Sequence, residues 1–139
     1  MQDIGGCRAI VENIGELRRV ERRVVLRRPP LRVDDYVNSP RSSGYRAVHL
    51  VVQYDDRSIE IQLRTRLMHD WAIAVERLGG RMNEDLKSSR GPREVLDWLE
   101  VVSAAMAVEE RGEIVDTRLM DRIRALRQAA LPYIPELSR

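Results

Sequence analysis

The chain has 139 residues, of which 43% are hydrophobic and 33% are charged, and its formal net charge is +2. This length fits one domain, and the composition excludes a disordered chain, a collagen-like repeat and a disulfide scaffold. Cys7 is the single cysteine, no signal-peptide pattern is visible and no apolar run approaches the ~18 residues that cross a bilayer, so we expect a cytosolic protein without membrane contact.

The first part of the chain predicts a strand, a helix and a second strand. Residues 4–11 are small or β-branched, which predicts a buried strand. From Ile14, apolar residues recur at three- and four-residue steps, which predicts an amphipathic helix that ends before Pro29. Residues 31–37 predict a short strand, and residues 38–44 predict a loop because they are dense in turn-forming residues.

An antiparallel strand pair and a helix are predicted next. Residues 45–54 form the first strand, and a short turn joins it to residues 59–63, where apolar and polar side chains alternate. A helical pattern begins at Arg66, and the pair Gly79-Gly80 predicts its end. Its apolar stripe consists of Leu67, Trp71, Ala74, Val75 and Leu78.

Two further helices are predicted in the last third of the chain. One begins near Pro92 and the other spans residues 117–130. The apolar face of the first consists of Val95, Trp98, Leu99, Val102 and Met106. Such a stripe is more often core than interface, and self-association into a homo-oligomer stays a hypothesis. Together the elements predict an α+β fold, with a small mixed sheet flanked and followed by helices.

Arginine is concentrated between residues 18 and 32. A planar guanidinium can bind phosphate in a bidentate way, so an arginine-rich helix is compatible with RNA binding. A solvated helix face explains the same pattern, as does a general preference for arginine over lysine. We favour the solvated face and keep nucleic-acid binding as the alternative.

Two acidic residues, Asp3 and Glu60, lie on or beside predicted strands. A carboxylate on a sheet face is costly to desolvate unless it meets a cation. Two converging carboxylates would suit Mg²⁺, which takes one or two protein carboxylates and fills its other positions with water and phosphate oxygens. Alternatively, each carboxylate pairs with a neighbouring arginine, Arg8 or Arg64.

Tyr45 follows the polar loop and has cationic neighbours on both sides. A tyrosine there can stack on a purine while Arg41, Arg46 and His49 hold phosphates. The alternative interpretation is a half-buried tyrosine with a structural role.

Three motifs occur in order: Asp3-Ile-Gly-Gly-Cys-Arg8, then residues 35–49 with Gly44-Tyr45-Arg46 and His49, then Ile59-Glu-Ile-Gln-Leu-Arg-Thr65. Together they resemble the synthetase domain of the RelA/SpoT family, the GTP pyrophosphokinases or alarmone synthetases, over residues 2–79. The resemblance implies a nucleotidyltransferase-like fold of that family. It also implies a nucleotide-binding core at residues 1–80, with residues 81–139 as a helical extension that packs on the same domain or mediates oligomerisation.

The resemblance implies transfer of pyrophosphate from ATP to the 3′-hydroxyl of GDP or GTP, with Mg²⁺ as cofactor. Asp3 and Glu60 would be the catalytic, metal-holding residues, and Glu60 would also be the general base. Arg8 would stack on the adenine of ATP. The guanosine nucleotide would be bound by Arg41, Tyr45, Arg46, His49, Gln62 and His69, with the ring of Tyr45 stacked on guanine.

Family members carry a basic segment before the first motif that grips the ATP phosphates, whereas only Met1 and Gln2 precede Asp3 here. We therefore expect an impaired donor site. Two alternatives to a pyrophosphokinase stay open: a catalytically inactive module that binds guanosine nucleotides, and a relative that acts on tRNA.

Overall fold

A computed structural model describes residues 4–134 and confirms the α+β class. The strands are β1 (Ile4–Val11), β2 (Arg32–Asp35), β3 (Val48–Tyr54) and β4 (Arg57–Thr65). The helices are α1 (Ile14–Arg27), α2 (Arg66–Met82), α3 (Arg93–Glu110) and α4 (Thr117–Ala130), with 3-10 turns at Leu86–Ser88 and Leu131–Tyr133. Within this described part, no helix is both long and apolar enough to cross a membrane.

The chain divides into two compact units. The first takes in the described part of Met1–Pro40 together with Arg46–His69. The second takes in Arg41–Tyr45 and the described part of Asp70–Arg139. A functional division between residues 1–80 and 81–139 stays a prediction.

The first unit is built on a four-stranded sheet with the order β1-β4-β3-β2. β1 runs parallel to β4, whereas β3 is antiparallel to both β4 and β2, so the sheet is mixed as predicted. The expectation that β1 is a buried strand is wrong, because residues 5–8 are exposed and Ile10 is 41% exposed. Among residues 4–134, β1 is an edge strand that pairs only with β4, and its apolar residues do not lie at the centre of the core.

Helix α1 covers one face of this sheet. Asn13 caps the helix by accepting a hydrogen bond from the backbone N–H of Glu16 (2.8 Å), which satisfies one donor of the first turn. The apolar stripe of α1 then packs on the strands, and Leu17 is completely buried. The core cluster consists of Leu17, Val48, Leu50, Leu63 and Met68.

The end of helix α2 differs from the prediction. The helix passes through Gly79 and Gly80 and ends at Met82, and Asn83 follows with φ +56°, the left-handed conformation that commonly ends a helix. A Cβ at position 79 would lie 2.5 Å from the carbonyl oxygen of Glu84. Gly79 therefore permits a close approach of the backbone and is not a stop signal.

The buried stripe of α2 is also rotated relative to the predicted one. Ala74 is exposed, whereas Met68 and Ala72 are buried together with the predicted Trp71 and Val75. The helix starts at the end of β4, where the hydroxyl of Thr65 accepts a hydrogen bond from the N–H of Met68 (3.3 Å). This cap sets the start of the helix.

In the second unit, α3 packs against α4. The bounds predicted for α4 are confirmed, and Asp116 caps it by accepting from the N–H of Leu119 (2.8 Å). On α3, Val95 and Leu99 are buried as predicted. The carbonyl of Leu99 accepts a hydrogen bond from the indole N–H of Trp71 (3.1 Å), which ties α3 to α2.

Candidate functional site

The face of the sheet opposite α1 is polar, and the strand register shows why. Residues in register on neighbouring strands point to the same face of a sheet. One row across the four strands consists of Arg8, Gln62, His49 and Asp34, and the next consists of Gly6, Glu60, Val51 and Arg32. The polar residues of β4 therefore share one surface with Arg8 and His49.

Glu60 is in contact with two other predicted site residues on this face. The side-chain amide of Gln62 donates a hydrogen bond to Oε1 of Glu60 (2.7 Å), and Nδ1 of His49 lies 3.8 Å from the same oxygen. The side chain of Glu60 is 35% exposed, whereas that of His49 is 16% exposed and packs edge-on against the ring of Tyr36. The structure thus brings Glu60, Gln62 and His49 together.

Arg64 extends this group toward helix α2. Its Nη2 donates to Oε1 of Gln62 (3.4 Å), and its Nη1 donates to Nδ1 of His69 (3.5 Å). Arg64 is 1% exposed, so it is a buried cation of the first unit. Gln62 thus links Arg64 to Glu60, because it accepts from the guanidinium and donates to the carboxylate.

A cleft of about 260 Å³ opens beside Glu60 and is lined by Gly6, Cys7, Arg8, Glu60 and Gln62. Arg8 is exposed at the edge strand, with Gln62 as its neighbour in register. Asp3 lies outside the described residues, so its convergence with Glu60 stays a prediction. Arg46 is only 5% exposed, so its predicted phosphate contact would have to be made by a largely buried side chain.

The predicted loop residues Arg41 and Tyr45 belong to the second unit. The N–H of Arg41 donates to the carbonyl of Tyr45 (3.1 Å), and Gly44 lies inside the turn with φ +98°. A Cβ at Gly44 would lie 2.9 Å from Cβ of Ser103, whose hydroxyl donates to the Gly44 carbonyl. Glycine is therefore required here by both backbone conformation and space.

The ring of Tyr45 has a neighbour that the sequence interpretation missed. The ammonium of Lys87 lies 5.6 Å from the ring centroid and pairs with Glu76 (3.1 Å), while Tyr45 itself is 3% exposed. Stacking of a base on this ring would require Lys87 to move. Lys87 is the single lysine of the chain and lies outside the three motifs, so only its rarity could have drawn attention to it.

A second charged group lies on the α1 side of the sheet. Nη1 of Arg18 is 2.9 Å from Oδ2 of Asp35, and Oδ1 of Asp35 accepts from the backbone N–H groups of Val37 and Asn38. Burial acts to raise the pKa of the Asp35 carboxyl, but the hydrogen bond from Arg18, the backbone hydrogen bonds and the charge of Arg18 together lower that pKa below its ordinary value. The guanidinium and the two backbone N–H groups therefore favour the charged form of Asp35.

Within residues 4–134, no group of three histidine, cysteine, aspartate or glutamate side chains is arranged to hold a metal ion. Mg²⁺ needs only one or two protein carboxylates when phosphate oxygens complete its shell. Both contacts of Glu60 to described residues use Oε1, which leaves Oε2 as the oxygen that would meet a cation. The chemistry of this carboxylate therefore fits a Mg²⁺ ion that a nucleotide helps to hold.

The sequence matches the profile of the family described as "Region found in RelA / SpoT proteins" over residues 1–77. This is more than half of the chain. The chain is a member of the RelA/SpoT family.

Two curated relatives come from Bacillus subtilis strain 168. The chain is 35% identical to GTP pyrophosphokinase YjbM over 82 residues, which cover 52% of this chain and 39% of YjbM. It is 28% identical to GTP pyrophosphokinase YwaC over 123 residues, which cover 80% of this chain and 56% of YwaC. The chain thus spans about two fifths to just over half of these relatives.

Solved structures show the same fold. Small alarmone synthetase 1 of Bacillus subtilis, in a crystal structure bound to its product pppGpp, is 27% identical with a TM-score of 0.66, covering 90% of this chain and 63% of that protein. A GTP pyrophosphokinase family protein from Streptococcus pneumoniae is 26% identical with a TM-score of 0.65, covering 94% of this chain and 67% of that protein. The predicted RelA/SpoT synthetase fold is therefore confirmed.

Proposed function

We propose that the chain is a RelA/SpoT-type pyrophosphokinase that transfers pyrophosphate from ATP to the 3′-hydroxyl of GDP or GTP. The observation that carries the proposal is the polar sheet face of a chain in this family, on which Glu60 contacts Gln62 and His49 beside an open cleft. A carboxylate that accepts a hydrogen bond from an amide (2.7 Å) and has an imidazole nitrogen 3.8 Å away suits the activation of a hydroxyl and the binding of phosphate oxygens.

The chemical step is a displacement at phosphorus. The 3′-oxygen of the guanosine nucleotide attacks the β-phosphorus of ATP, the bond between the β-phosphorus and the α,β-bridging oxygen breaks, and AMP leaves with that oxygen. The hydroxyl proton passes to the carboxylate of Glu60, which acts as general base. The products are AMP and a guanosine nucleotide with a 3′-diphosphate, so atoms and charge balance.

The environment of Glu60 supports this role. Its side chain is about one third exposed, so a substrate hydroxyl can reach it, while the amide of Gln62 fixes its Oε1. His49, held by Tyr36, and Arg8, at the rim of the cleft, supply positive or hydrogen-bonding groups for phosphate and base. Mg²⁺, held by Glu60 and Asp3, would offset the negative charge that develops on the phosphates.

Guanosine specificity is assigned to Arg41, Tyr45, Arg46, His49, Gln62 and His69, with the base on Tyr45. Support for Tyr45 is the fixed turn that positions it, in which Gly44 is packed against Ser103. The cytosolic location and a homo-oligomeric state stay predictions from the sequence.

A transfer assay tests the proposal. The chain is incubated with γ-labelled ATP, GDP or GTP and Mg²⁺, and the labelled guanosine product is separated by chromatography. We expect product with the unaltered chain, at the low rate that the predicted impairment of the donor site allows, and a further loss of about 10²–10³-fold in Glu60→Gln, since a neutral amide cannot accept the proton.

The matched control is Ser58→Ala. Ser58 lies two residues before Glu60 on the same face of β4 and is not among the predicted site residues. This variant should keep its rate within a factor of about two, because surface changes without such contacts have small effects. Product formation by Glu60→Gln at the rate of the unaltered chain would contradict the proposal. Calorimetric binding of GDP without any product would replace it with the binding-module hypothesis.

A further inference from the structure

Four side chains of β4 and the start of α2 form a hydrogen-bonded network in the first unit. Arg64 donates to both Gln62 and His69, and Gln62 donates to Glu60. The network thus connects the buried guanidinium of Arg64, which donates to two partners, with the carboxylate of Glu60 at the cleft.

Arg64 and Glu60 together define the direction of every hydrogen bond in this network. A guanidinium has five N–H donors and no acceptor, and a carboxylate has acceptors only. Gln62 must therefore turn its carbonyl oxygen to Arg64 and its NH₂ group to Glu60, which fixes an amide orientation that geometry alone leaves open.

The same argument fixes the tautomer of His69. Nδ1 of His69 faces Nη1 of Arg64 at 3.5 Å, and because arginine can only donate, Nδ1 must accept. In a neutral imidazole one nitrogen accepts and the other carries the proton. The proton of His69 therefore resides on Nε2.

We propose that Arg64 is a positioning residue that holds His69 as an Nε2–H donor and Gln62 with its NH₂ group toward Glu60. Within the described part of the chain, this network leaves Nε2–H of His69 and the second N–H of Gln62 for a ligand, and both are donors. They suit an oxygen acceptor of the nucleotide, either a phosphate or a carbonyl oxygen, and this assignment of ligand chemistry depends on the proposed function.

The burial of Arg64 supports a positioning role over direct substrate contact. At 1% exposure the guanidinium is not accessible to a ligand from solvent, whereas Gln62 lines the cleft. Lysine is not an equivalent replacement, since a single ammonium lacks the planar fork that reaches Gln62 and His69 at once.

The test is a spectroscopic one that needs neither ATP nor GDP. The chain has two histidines, so a long-range ¹H–¹⁵N correlation spectrum of uniformly labelled protein contains two imidazole patterns, which a His49→Gln variant assigns. The spectrum is recorded at about pH 9, above the ordinary imidazole pKa of ~6.5, where rings are neutral. Nε2 is recognised because it couples to both carbon-bound ring protons.

We expect His69 to show a single tautomer with the proton on Nε2, and Arg64→Lys to lose this pattern in favour of a mixture of both tautomers. The control is Arg66→Lys, two residues further along the sequence, where the arginine side chain is 62% exposed, and this variant should leave the pattern of His69 unchanged.

A His69 proton on Nδ1 in the unaltered chain, or a mixture of tautomers there, would overturn the proposal even if Arg64→Lys does not fold. An unchanged pattern in a folded Arg64→Lys would also overturn it. Because the spectrum reports on the free protein, a lack of transfer activity would count against the proposed function and leave this inference intact.

Discussion

The two faces of the sheet in the first unit serve different purposes although they are made from alternating residues of the same strands. On β4, Ile61 and Leu63 point to α1, and Leu63 is completely buried, whereas Glu60 and Gln62 point to the opposite face and line a cleft. The twofold period of a strand makes this separation possible. One strand thus contributes to the core and to the candidate site at the same time.

The carboxylates on the two faces also differ in their partners and in their exposure. On the α1 side, Asp35 is held by Arg18 and by two backbone N–H groups, so that its charge is matched within the fold. On the polar side, Glu60 is contacted through one oxygen by Gln62 and His49 and remains about one third exposed. A partly exposed carboxylate beside a cleft contributes less to the packing of the fold than a fully buried side chain does, so the comparison predicts where substitutions affect folding and where they affect function.

The largest effect on stability is expected for Leu63→Ala on the α1 side. The side chain is 0% exposed within the core cluster, so its removal leaves a cavity and should lower the free energy of unfolding by about 2–5 kcal/mol. Urea denaturation followed by circular dichroism measures this difference. A loss below about 1 kcal/mol would show that this face is not the tightly packed one.

A smaller effect is expected for Asp35→Asn, which keeps an oxygen for the backbone N–H groups but removes the charge that Arg18 meets. The carboxyl is 28% exposed, and we expect a loss of about 1 kcal/mol at neutral pH. The matched control is Asp34→Asn, whose partner Arg32 is 68% exposed and which should cost less.

The pH dependence of this difference follows from the lowered pKa of Asp35. The folded protein binds the proton more weakly than the unfolded chain, so the stabilisation is present above the ordinary pKa of 3.8 and is lost as the pH falls through the lower folded pKa. When unfolding is measured from neutral pH down to about pH 3, the difference in the free energy of unfolding between the unaltered chain and Asp35→Asn should become smaller. A gap that widens on acidification would contradict the assignment.

The smallest effect on stability is expected for Glu60→Gln. The amide keeps an acceptor for Gln62, and the side chain is already 35% exposed, so the free energy of unfolding should change by less than about 1 kcal/mol while pyrophosphate transfer is lost. Parallel urea and transfer measurements on this variant and on Leu63→Ala test the contrast. A Glu60→Gln protein destabilised as strongly as Leu63→Ala would make Glu60 a structural residue.

The local sequence pattern was sufficient to predict β1 as a strand and α1 and α4 as helices, and the structure shows that Asn13 and Asp116 cap the two helices. It did not predict that β1 is an edge strand, since strand order depends on pairing between distant segments. The predicted helix end at Gly79-Gly80 was wrong for a related reason. Glycine is needed at position 79 because the backbone of Glu84 approaches closely, and this contact depends on a segment outside the helix.

In the candidate site, too, local features were predicted from the sequence and contacts between separate segments were not. The alternation in residues 59–63 predicted that Glu60 and Gln62 share a face, and the register brings His49 to it. The link from Arg64 to His69 was not predicted, because it depends on the junction between β4 and α2. Lys87 was missed because its proximity to Tyr45 arises from the folding of a segment outside the motifs. The role of Asp3 stays a prediction, since it lies outside the described residues.

The central claim is that the polar face binds a guanosine nucleotide, and side-chain NMR signals test it most directly because each side chain belongs to one face. GDP and Mg²⁺ are added to labelled protein, and the NH₂ group of Gln62 and the ring of His49 are compared with the methyl groups of Leu17, Leu50 and Leu63 on the α1 side. We predict saturable shifts of the Gln62 and His49 signals, with the three leucine methyl groups nearly unchanged. Shifts confined to the leucine methyl groups, or Gln62 and His49 signals that stay unchanged up to millimolar GDP, would contradict the account.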